Sequence, residues 1–464
     1  MGGSPGCHDG HGWWLREAGG AEPVAPAAGD LEADVVIVGG GYAGMWTAWN
    51  LLDQGAEVVL LEADVCGHGP SGRNGGFCET LWSNLPSLRE RFGDERALAA
   101  CEASSESVRA IGAWCEAEGV DAWFRQSGFV ETSTSTAQDA VIEEILAAAA
   151  AVAPGKVEPL DAAAVQARCA SPRFRRGLFV PDDATVHPAR LALGLRRRLL
   201  ERGAALHEGS RVRALRATGP RAVVAETDQA RVRAGAAILT VNAATRAVKP
   251  LRGRLSVTSS HIVLTEPVPD VLEEIGWTGG ESITDARTFL HYFRTTPDGR
   301  ILFGWGGGRL AFGARLDGRI EVDAHVAGEV HRHLVDYFPA LRGRAITHAW
   351  GGPIDVSPSH LPQIGTLEDG PVHYAFGFTG NGVGPSHLAG RVLAGLATGA
   401  GDRRLALDVA GSPVPPEPLA WLGGMVVRGA FLRAERLQAE GRRPDPLTRA
   451  VCAAPRALGI HVSR

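Results

Sequence analysis

From Asp34 onward the chain moves between two kinds of hydrophobic pattern. The run DVVIVGGG is continuously apolar and ends in glycines, YAGMWTAWNLLDQG spaces its apolar residues at helical intervals, and AEVVLLEA is apolar again. Continuous apolar runs bounded by turn residues read as buried strands, and apolar positions three and four apart read as one helix face. The pattern therefore predicts strand, tight turn, helix, strand. Downstream, SLRERFGDERALAACEASSESVRAIGAWCEAEG is a long helical tract with Glu and Arg on its outer faces, and 138–168 is a second, Ala-rich one. HPARLALGLRRRLLERGAALHEG reads as helix and strand, while RVRALRA, AVVAET and RVRAGAAILTVNA alternate as a small antiparallel meander. Further strands are expected at TSSHIVLTEP, TFLHYFRTT and GRILFGWGG; a helix to Tyr337 leads into AWGGPIDVSPSHLPQIG. HYAFGFTGNGVGPSHLAGRVLAGLATG then repeats strand, glycine turn, helix. Residues 1–32, rich in Gly, Pro and Ala, read as an arm that Trp13 and Trp14 pin to the body, and beyond Gly401 a Pro-rich linker and a polar helix near 417–440 read as a wrap-around tail.

Composition narrows this picture. A length of 464 residues with 45% hydrophobic content exceeds a usual single core, so two domains, possibly interleaved, are expected. A net charge of -5 and the lack of a basic block with interleaved aromatics argue against nucleic acid as a partner. The seven cysteines are scattered and form no C-x-x-C pair, which fits reduced thiols in a cytoplasm rather than zinc or disulfide chemistry. His261, His331, His333 and His360 lack metal-ligand grouping, so they read as surface or satisfied core histidines and no metal is expected. No uncharged apolar run reaches the roughly 18 residues of a membrane helix, and the N-terminus has no basic region followed by an apolar core. A cytoplasmic protein without a membrane span is the expectation.

The chemistry concentrates in glycine-rich turns. In VVIVGGGYAG, the residues Gly39, Gly41 and Gly44 satisfy G-x-G-x-x-G between an apolar strand and a helix. In such a turn the first glycine permits the bend, the second lets a pyrophosphate approach the backbone, and the third lets helix and strand pack closely. Glu62 follows 23 positions after Gly39 at the end of the next strand, where an acid binds an adenosine ribose. Dinucleotide binding follows, with NAD and FAD both open at this point. GHGPSGRNGGF adds a flexible backbone able to approach a pyrophosphate or a flavin edge, with Asn74 and the backbone N–H groups as donors and Arg73 as the one cation. A second glycine loop, with Gly377, Gly380, Gly382 and Gly384 opening the helix that contains Leu388 to Leu396, lies more than 300 residues later. Its N–H groups and helix dipole favour negative charge, as a reduced flavin develops. That arrangement suits a flavoprotein whose cofactor domain is discontinuous.

Taken together, DVVIVGGGYAGMWTAWNLLDQGAEVVLLEA, GPSGRNGG, WGGPIDVSPSHLPQIG and GFTGNGVGPSHLAGRVLAGLATG resemble the D-amino acid oxidase superfamily over roughly residues 30–400. The likeness is strongest to the branch holding glycine oxidase, sarcosine oxidase and gamma-glutamylputrescine oxidoreductase. It implies an α/β, two-domain (α+β) protein, in which a glutathione-reductase-type, Rossmann FAD-binding domain is interleaved with a substrate domain built on an antiparallel sheet. The expected boundaries are an arm at 1–32, the FAD-binding domain at 33–85, 172–250 and 342–402, the substrate domain at 86–171 and 251–341, and a tail at 403–464. Cofactor contacts are expected from Gly39, Gly41, Tyr42, Ala43, Gly44, Glu62, Ala63, Ser71, Gly72, Arg73, Asn74, Gly75, Gly76, Val212, Gly352, Gly380, Asn381, Gly382 and Val383.

Departures from the family pattern carry their own expectations. Some members attach FAD through a His in the first glycine segment, where this chain has Arg73, and sarcosine oxidases use a Cys before the PQIG-like stretch, where none stands here. Non-covalent FAD is the expectation. The lysine that holds substrate carboxylate in sarcosine oxidases is matched by Gly384, and a His common between the second pair of glycines is Asn381.

The implied reaction oxidises a primary or secondary amine, such as an amino acid, polyamine derivative or aminophosphonate, with O2 or another electron acceptor as co-substrate. Arg73, Tyr292, Arg294, His348 and Asn381 are the catalytic candidates. In RTFLHYFRTT, Tyr292 and Arg294 share a face with Leu290, and Arg287 or Arg294 is expected to clamp an anionic group on the substrate. Trp305, His348 and Trp350 are candidate cavity walls, and Asp355 a turn cap. Some relatives speed the oxygen reaction with a lysine beside the flavin, but the two lysines, Lys156 in APGKVEP and Lys249 in AVKPLRG, are expected to be exposed. Arg73 is left as the fixed charge for that step.

Overall fold

The strand, glycine turn and helix read from the first apolar run are the strand Gly29–Val38 and the helix Tyr42–Asp53, with Val58–Leu61 as the following strand. The structure, a computed structural model, describes residues 7–8, 12–313, 315–316, 318–368, 370–400, 407 and 414–460. Gly29–Val38 lies at the centre of an eight-stranded sheet. It pairs in parallel with Val58–Leu61 on one side and with Ala230–Leu239 on the other. Val58–Leu61 continues in parallel to Ala205–His207, and Ala230–Leu239 to Val372–Phe376. The predicted meander is present as Ala214–Gly219, Ala222–Glu226 and Ala230–Leu239, antiparallel throughout. Its last strand also enters the parallel sheet, so a strand read as peripheral from its alternation carries the centre of the fold.

The second sheet has nine strands. Ser256–Thr265, His291–Thr295 and Ile301–Trp305 stand where the sequence put them. Ile346–Val356, Ser282–Asp285, Phe129–Thr132, Gly177–Val180 and Glu158–Leu160 complete the sheet's longer run; their patterns were too short or too glycine-rich to read. Pairing is antiparallel except where Phe129–Thr132 meets Ser282–Asp285 and where Cys7–His8 meets Ile346–Val356. Gly177–Val180 and Ile346–Val356 fall in stretches that the sequence gave to the cofactor domain, yet both belong to this second sheet. The chain thus leaves this sheet later, after Val180 and after Val356, than the expected boundaries at 172 and 342.

The long helix Leu85–Ala117 bends at Gly93, whose φ of 76° is open to glycine. The arm is held as expected. Trp13 and Trp14 are buried beside Ile262, Leu302 and Trp350. The tail forms the helices Leu419–Ala439 and Pro446–Ala457. Among the described residues no helix is long and apolar enough to cross a membrane. Six cysteines, Cys66, Cys78, Cys101, Cys115, Cys169 and Cys452, are free thiols, and no group of three or more metal-ligating side chains occurs among the described residues.

Candidate active site

A cavity of about 1940 Å³ runs from the first glycine turn to the inner face of the nine-stranded sheet. Ligand pockets are ordinarily about 300–1,000 Å³, so this one has room for a dinucleotide and a further small molecule. At its nucleotide end Gly39 has φ 109°, and a side chain there would meet the Thr240 carbonyl oxygen at 2.4 Å. Gly40 is equally constrained, because a Cβ would lie 2.2 Å from the Cys66 sulfur. Its N–H donates to Glu62 Oε2 at 2.7 Å, and the Asp64 N–H donates to Glu62 Oε1 at 2.9 Å. Burial pushes the Glu62 carboxyl up, against the pull of the N–H groups of Gly40, Asp64 and Ala63. A carboxylate offers roughly four acceptor positions, so Glu62 keeps capacity for hydroxyls in the cavity. Ser71 Oγ accepts from the Tyr42 N–H at 2.9 Å and ties the second glycine segment to the start of the helix.

Most of the expected cofactor residues lie on the cavity wall: Gly39, Gly41, Tyr42, Ala43, Glu62, Ala63, Ser71, Arg73, Asn74, Gly75, Val212, Gly352, Gly380, Asn381, Gly382 and Val383. Gly44, Gly72 and Gly76 do not. Gly44 serves packing, since a Cβ would sit 2.0 Å from the Gly39 oxygen, and Gly72 packs the same way against the Gly67 oxygen at 2.3 Å. Gly76 turns away from the cavity with φ 76°, donating its N–H to Asn74 Oδ1 at 2.7 Å. The Asn74 amide also donates to the carbonyls of Pro70 and Ser71, so it braces its own turn. At the second glycine loop, Asn381 Nδ2 donates to the Thr80 carbonyl at 3.3 Å while its buried Oδ1 has no hydrogen-bond partner. An acceptor left open on the cavity wall, beside glycines that admit close approach, fits a ring edge carrying N–H groups. Asp355 Oδ2 accepts from the Gly377 N–H at 2.6 Å, so it caps the start of the second glycine loop rather than the turn before SPSHLP; burial raises its carboxyl to about 7.

The match to known proteins agrees with this geometry. Residues 34–396 match the family described as DAO, FAD dependent oxidoreductase. The chain belongs to the DAO family of FAD-dependent oxidoreductases. Gamma-glutamylputrescine oxidoreductase of Escherichia coli is 30% identical over 376 residues, covering 80% of this chain and 85% of that protein. The probable oxidoreductase OrdL of Rhizobium meliloti is 29% identical over 390 residues, covering 81% and 85%. Among solved structures, glycine oxidase from Geobacillus kaustophilus superposes with a TM-score of 0.66 at 20% identity, over 81% of this chain and 98% of that one. L-Proline dehydrogenase from P. horikoshii gives 0.66 at 19% identity, over 81% and 95%. FAD is the cofactor of this DAO-family chain, and the first glycine turn, Glu62 and the Asn381 loop are the residues that fit it.

The substrate candidates of the DAO-family chain divide differently. Tyr292 lines the cavity, its hydroxyl 2.8 Å from Ser260 Oγ and its ring edge-on to Phe77. Arg294, two residues on, does not: it is 2% exposed and donates from one nitrogen to the carbonyls of Gly76 at 2.9 Å and Val186 at 2.6 Å. Burial without a carboxylate partner among the described residues lowers it to about 9. It braces the loop that carries Arg73 and Asn74 and does not reach the cavity wall. Arg287 reaches the cavity but lies 3.3 Å from Asp285, so it is already paired. His348 lies off the cavity with Nδ1 3.1 Å from Thr347 Oγ1, and Trp305 and Trp350 also lie outside it. Trp350 instead donates its indole N–H to the Arg73 carbonyl at 2.8 Å. Arg73 is on the wall, with its guanidinium 3.0 Å from Glu321. Lys249 is exposed at the cavity mouth, but Lys156 is half-buried between Glu102 and Asp182. His261 is buried with Nε2 3.1 Å from Ser259 Oγ, and His333 Nδ1 is 2.9 Å from His291 Nε2, so both are satisfied core histidines. His360 lies on the cavity wall instead, with φ 55°.

Sequence reasoning missed Glu131, Thr284 and Glu435, which all line the cavity. An acid inside the short apolar strand FVET was a usable signal for the first. Glu435, on a tail helix read as polar, gave none. Burial raises its carboxyl from the ordinary 4.5 to about 7, with Asp285 adding to the rise and Arg287 opposing it. A carboxyl raised by folding adds stability below its unfolded value and loses it as pH climbs through the folded one. Glu435→Gln is therefore expected to melt with the parent at pH 4.5 and above it at pH 8, by up to about 3 kcal/mol. Melting curves of both holoproteins across that range check it, and a constant offset contradicts it.

Proposed function

We propose that the protein oxidises a primary or secondary amine to an imine, which hydrolyses to an aldehyde or keto product, using non-covalently held FAD. Bound FAD supplies the acceptor for the hydride leaving the carbon next to nitrogen. The observation that carries the amine reading is the wall at the sheet end: Tyr292, Ile262 and Phe77 beside the buried carboxylates Glu79, Glu131 and Asp285. Apolar side chains there exclude water and favour the neutral amine needed for hydride loss. Burial raises Tyr292 well above its ordinary value, so its phenol stays a donor across the neutral range. The name of the Escherichia coli relative supports an amine substrate. An anionic-group clamp loses its support, because Arg294 is off the cavity and Arg287 is paired.

Non-covalent attachment is supported by the wall itself, which includes no cysteine among the described residues; Cys66 and Cys78 are buried off it. Acid precipitation is expected to leave the yellow colour in the supernatant, and colour in the pellet refutes this. Oxygen is the proposed acceptor. A second reading, a dehydrogenase serving another acceptor, is favoured by one contact, the 3.0 Å pair between Arg73 and Glu321 that offsets the charge meant to assist oxygen. Anaerobic mixing with a panel of primary and secondary amines tests the amine reading through bleaching of the flavin band. Admitting air then separates the acceptors: rapid recovery with peroxide supports the oxidase, and slow recovery the dehydrogenase. A panel that never bleaches the flavin refutes the amine reading.

A further inference from the structure

We propose that Arg428, on the tail helix Leu419–Ala439, binds an anionic group such as a carboxylate at the far end of the substrate. The inference rests on the amine reading above and narrows it to amines that carry an anionic group several carbons from the nitrogen. The clamp that Arg294 and Arg287 do not form on the sheet is formed from the tail. This helix lies beyond residues 34–396, which match the family, yet it is part of the cavity wall. Trp421, Gly424, Arg428 and Glu435 recur at helical intervals on one face, and all of them line the cavity.

That face is fastened to the loops at one end of the paired strands His291–Thr295 and Ile301–Trp305. The Trp421 indole N–H donates to the Leu310 carbonyl at 3.2 Å, and a Cβ on Gly424 would fall 2.5 Å from Leu310 Cδ2, so helix and loop pack closely there. Arg428 donates to the Gly307 carbonyl, and Glu435 Oε1 accepts from the Phe289 N–H at 3.2 Å. These ties fix the guanidinium at the wall. Gly307 stands three residues after Gly304, over which the Tyr292 ring lies, since a Cβ on Gly304 would fall 2.0 Å from Tyr292 Cζ. Three residues span at most about 11 Å, so one flexible substrate can place its amine beside Tyr292 and its other end at Arg428.

Arg428 is set apart by a charge that the protein does not answer. Among the described residues its guanidinium meets one acceptor, the Gly307 carbonyl, and its Nε is buried with no hydrogen-bond partner. Glu329, the acid whose charge reaches it, forms no ion pair with it and lies 3.4 Å from Arg332 instead. Burial holds Arg428 below the ordinary arginine value, with Glu329 opposing the shift and Arg309 adding to it. Glu435 stands about 10 Å further along the helix axis, too far to pair. On the same wall Arg73, Arg287 and Arg309 each face a carboxylate, from Glu321, Asp285 and Asp323. A guanidinium has five N–H donors in a planar fork that matches a carboxylate, and a partly buried charge without a counter-ion is costly. An anion that enters the cavity and meets Arg428 removes that cost.

The test uses the full chain with oxidised FAD bound, and probes that carry no amine, so that binding is read without turnover. In calorimetric titration hexanoate is expected to bind at least about tenfold more tightly than hexanamide. Arg428→Gln, which keeps a donor for the Gly307 carbonyl but not the charge, is expected to abolish that preference and leave hexanamide within about twofold. Arg428→Lys keeps the charge without the fork and is expected to retain a preference of about threefold or more. Under nitrogen, the 6-aminohexanoate concentration that half-bleaches the flavin is expected to rise about tenfold in Arg428→Gln, and that of 1-aminohexane to stay within about twofold. Hexanoate binding the parent no more tightly than hexanamide, or Arg428→Gln weakening both equally, overturns the anion site. Loss of FAD from Arg428→Gln also overturns it, by assigning the guanidinium to the cofactor's phosphates. Hexanoate binding through Arg428 in a protein whose flavin no amine bleaches upholds the site and refutes the amine reading instead.

Discussion

Glu62→Ala is expected to lose FAD on dilution and to regain activity when excess FAD is supplied. Hydrogen bonds to a charged acceptor contribute about 1.5–3 kcal/mol, which corresponds to a rise of roughly ten- to 150-fold in the FAD dissociation constant. The carboxylate also holds the N–H groups of Gly40 and Asp64, so its removal loosens the turn that approaches the pyrophosphate. Glu62→Gln separates the two roles, because the amide keeps an acceptor for Gly40 but not the charge. Titration of apoprotein with FAD, followed by flavin fluorescence, gives the constants. An alanine variant that holds FAD as tightly as the parent would contradict the assignment.

Arg294→Met is expected to lower stability by about 3 kcal/mol, through the loss of two charge-assisted hydrogen bonds that each contribute about 1.5–3 kcal/mol less a gain from removing a buried charge. The carbonyls of Gly76 and Val186 are then left without this donor in a buried place. Gly76 ends the loop carrying Arg73 and Asn74, so FAD retention should fall with stability, while KM for the amine stays near the parent value once FAD is saturating. Denaturant unfolding and steady-state kinetics measured together decide it. A variant as stable as the parent with a raised KM would return Arg294 to the substrate site.

These two residues also show what could be read in advance. The place of Glu62 on the cavity wall beside the glycine turn was legible because it depends on spacing within one strand-turn-helix-strand unit, and local spacing is a sequence property. Arg294 was misread because strand alternation gives the face of a side chain but not how far along that face a cavity extends. Tyr292 and Arg294 do share a face; the cavity reaches only the first. The same limit hid Glu131 and Thr284, which reach the cavity wall from paired strands far apart in the chain. Gly44, Gly72 and Gly76 were right as glycines and wrong as contacts, since close packing and close approach to a ligand select the same residue. The sheet strand Ile346–Val356 escaped notice because WGGP in its middle reads as a turn.

The central strand Gly29–Val38 gains Val58–Leu61 early on one side, but on its other side the neighbours arrive much later in synthesis, Ala230–Leu239 beside it and Val372–Phe376 beyond. The first glycine turn thus leaves the ribosome early, while the Asn381 loop that lines the same cavity comes more than 300 residues afterwards. Nascent chains grow at roughly 5–20 residues per second, so the fingerprint waits on the order of tens of seconds for the rest of its pocket. During that wait the apolar edges of Gly29–Val38 have no permanent neighbour on one side, which exposes the chain to mispairing and to chaperone capture. The pocket for the cofactor is accordingly complete only late in biosynthesis, once the residues around Asn381 have emerged.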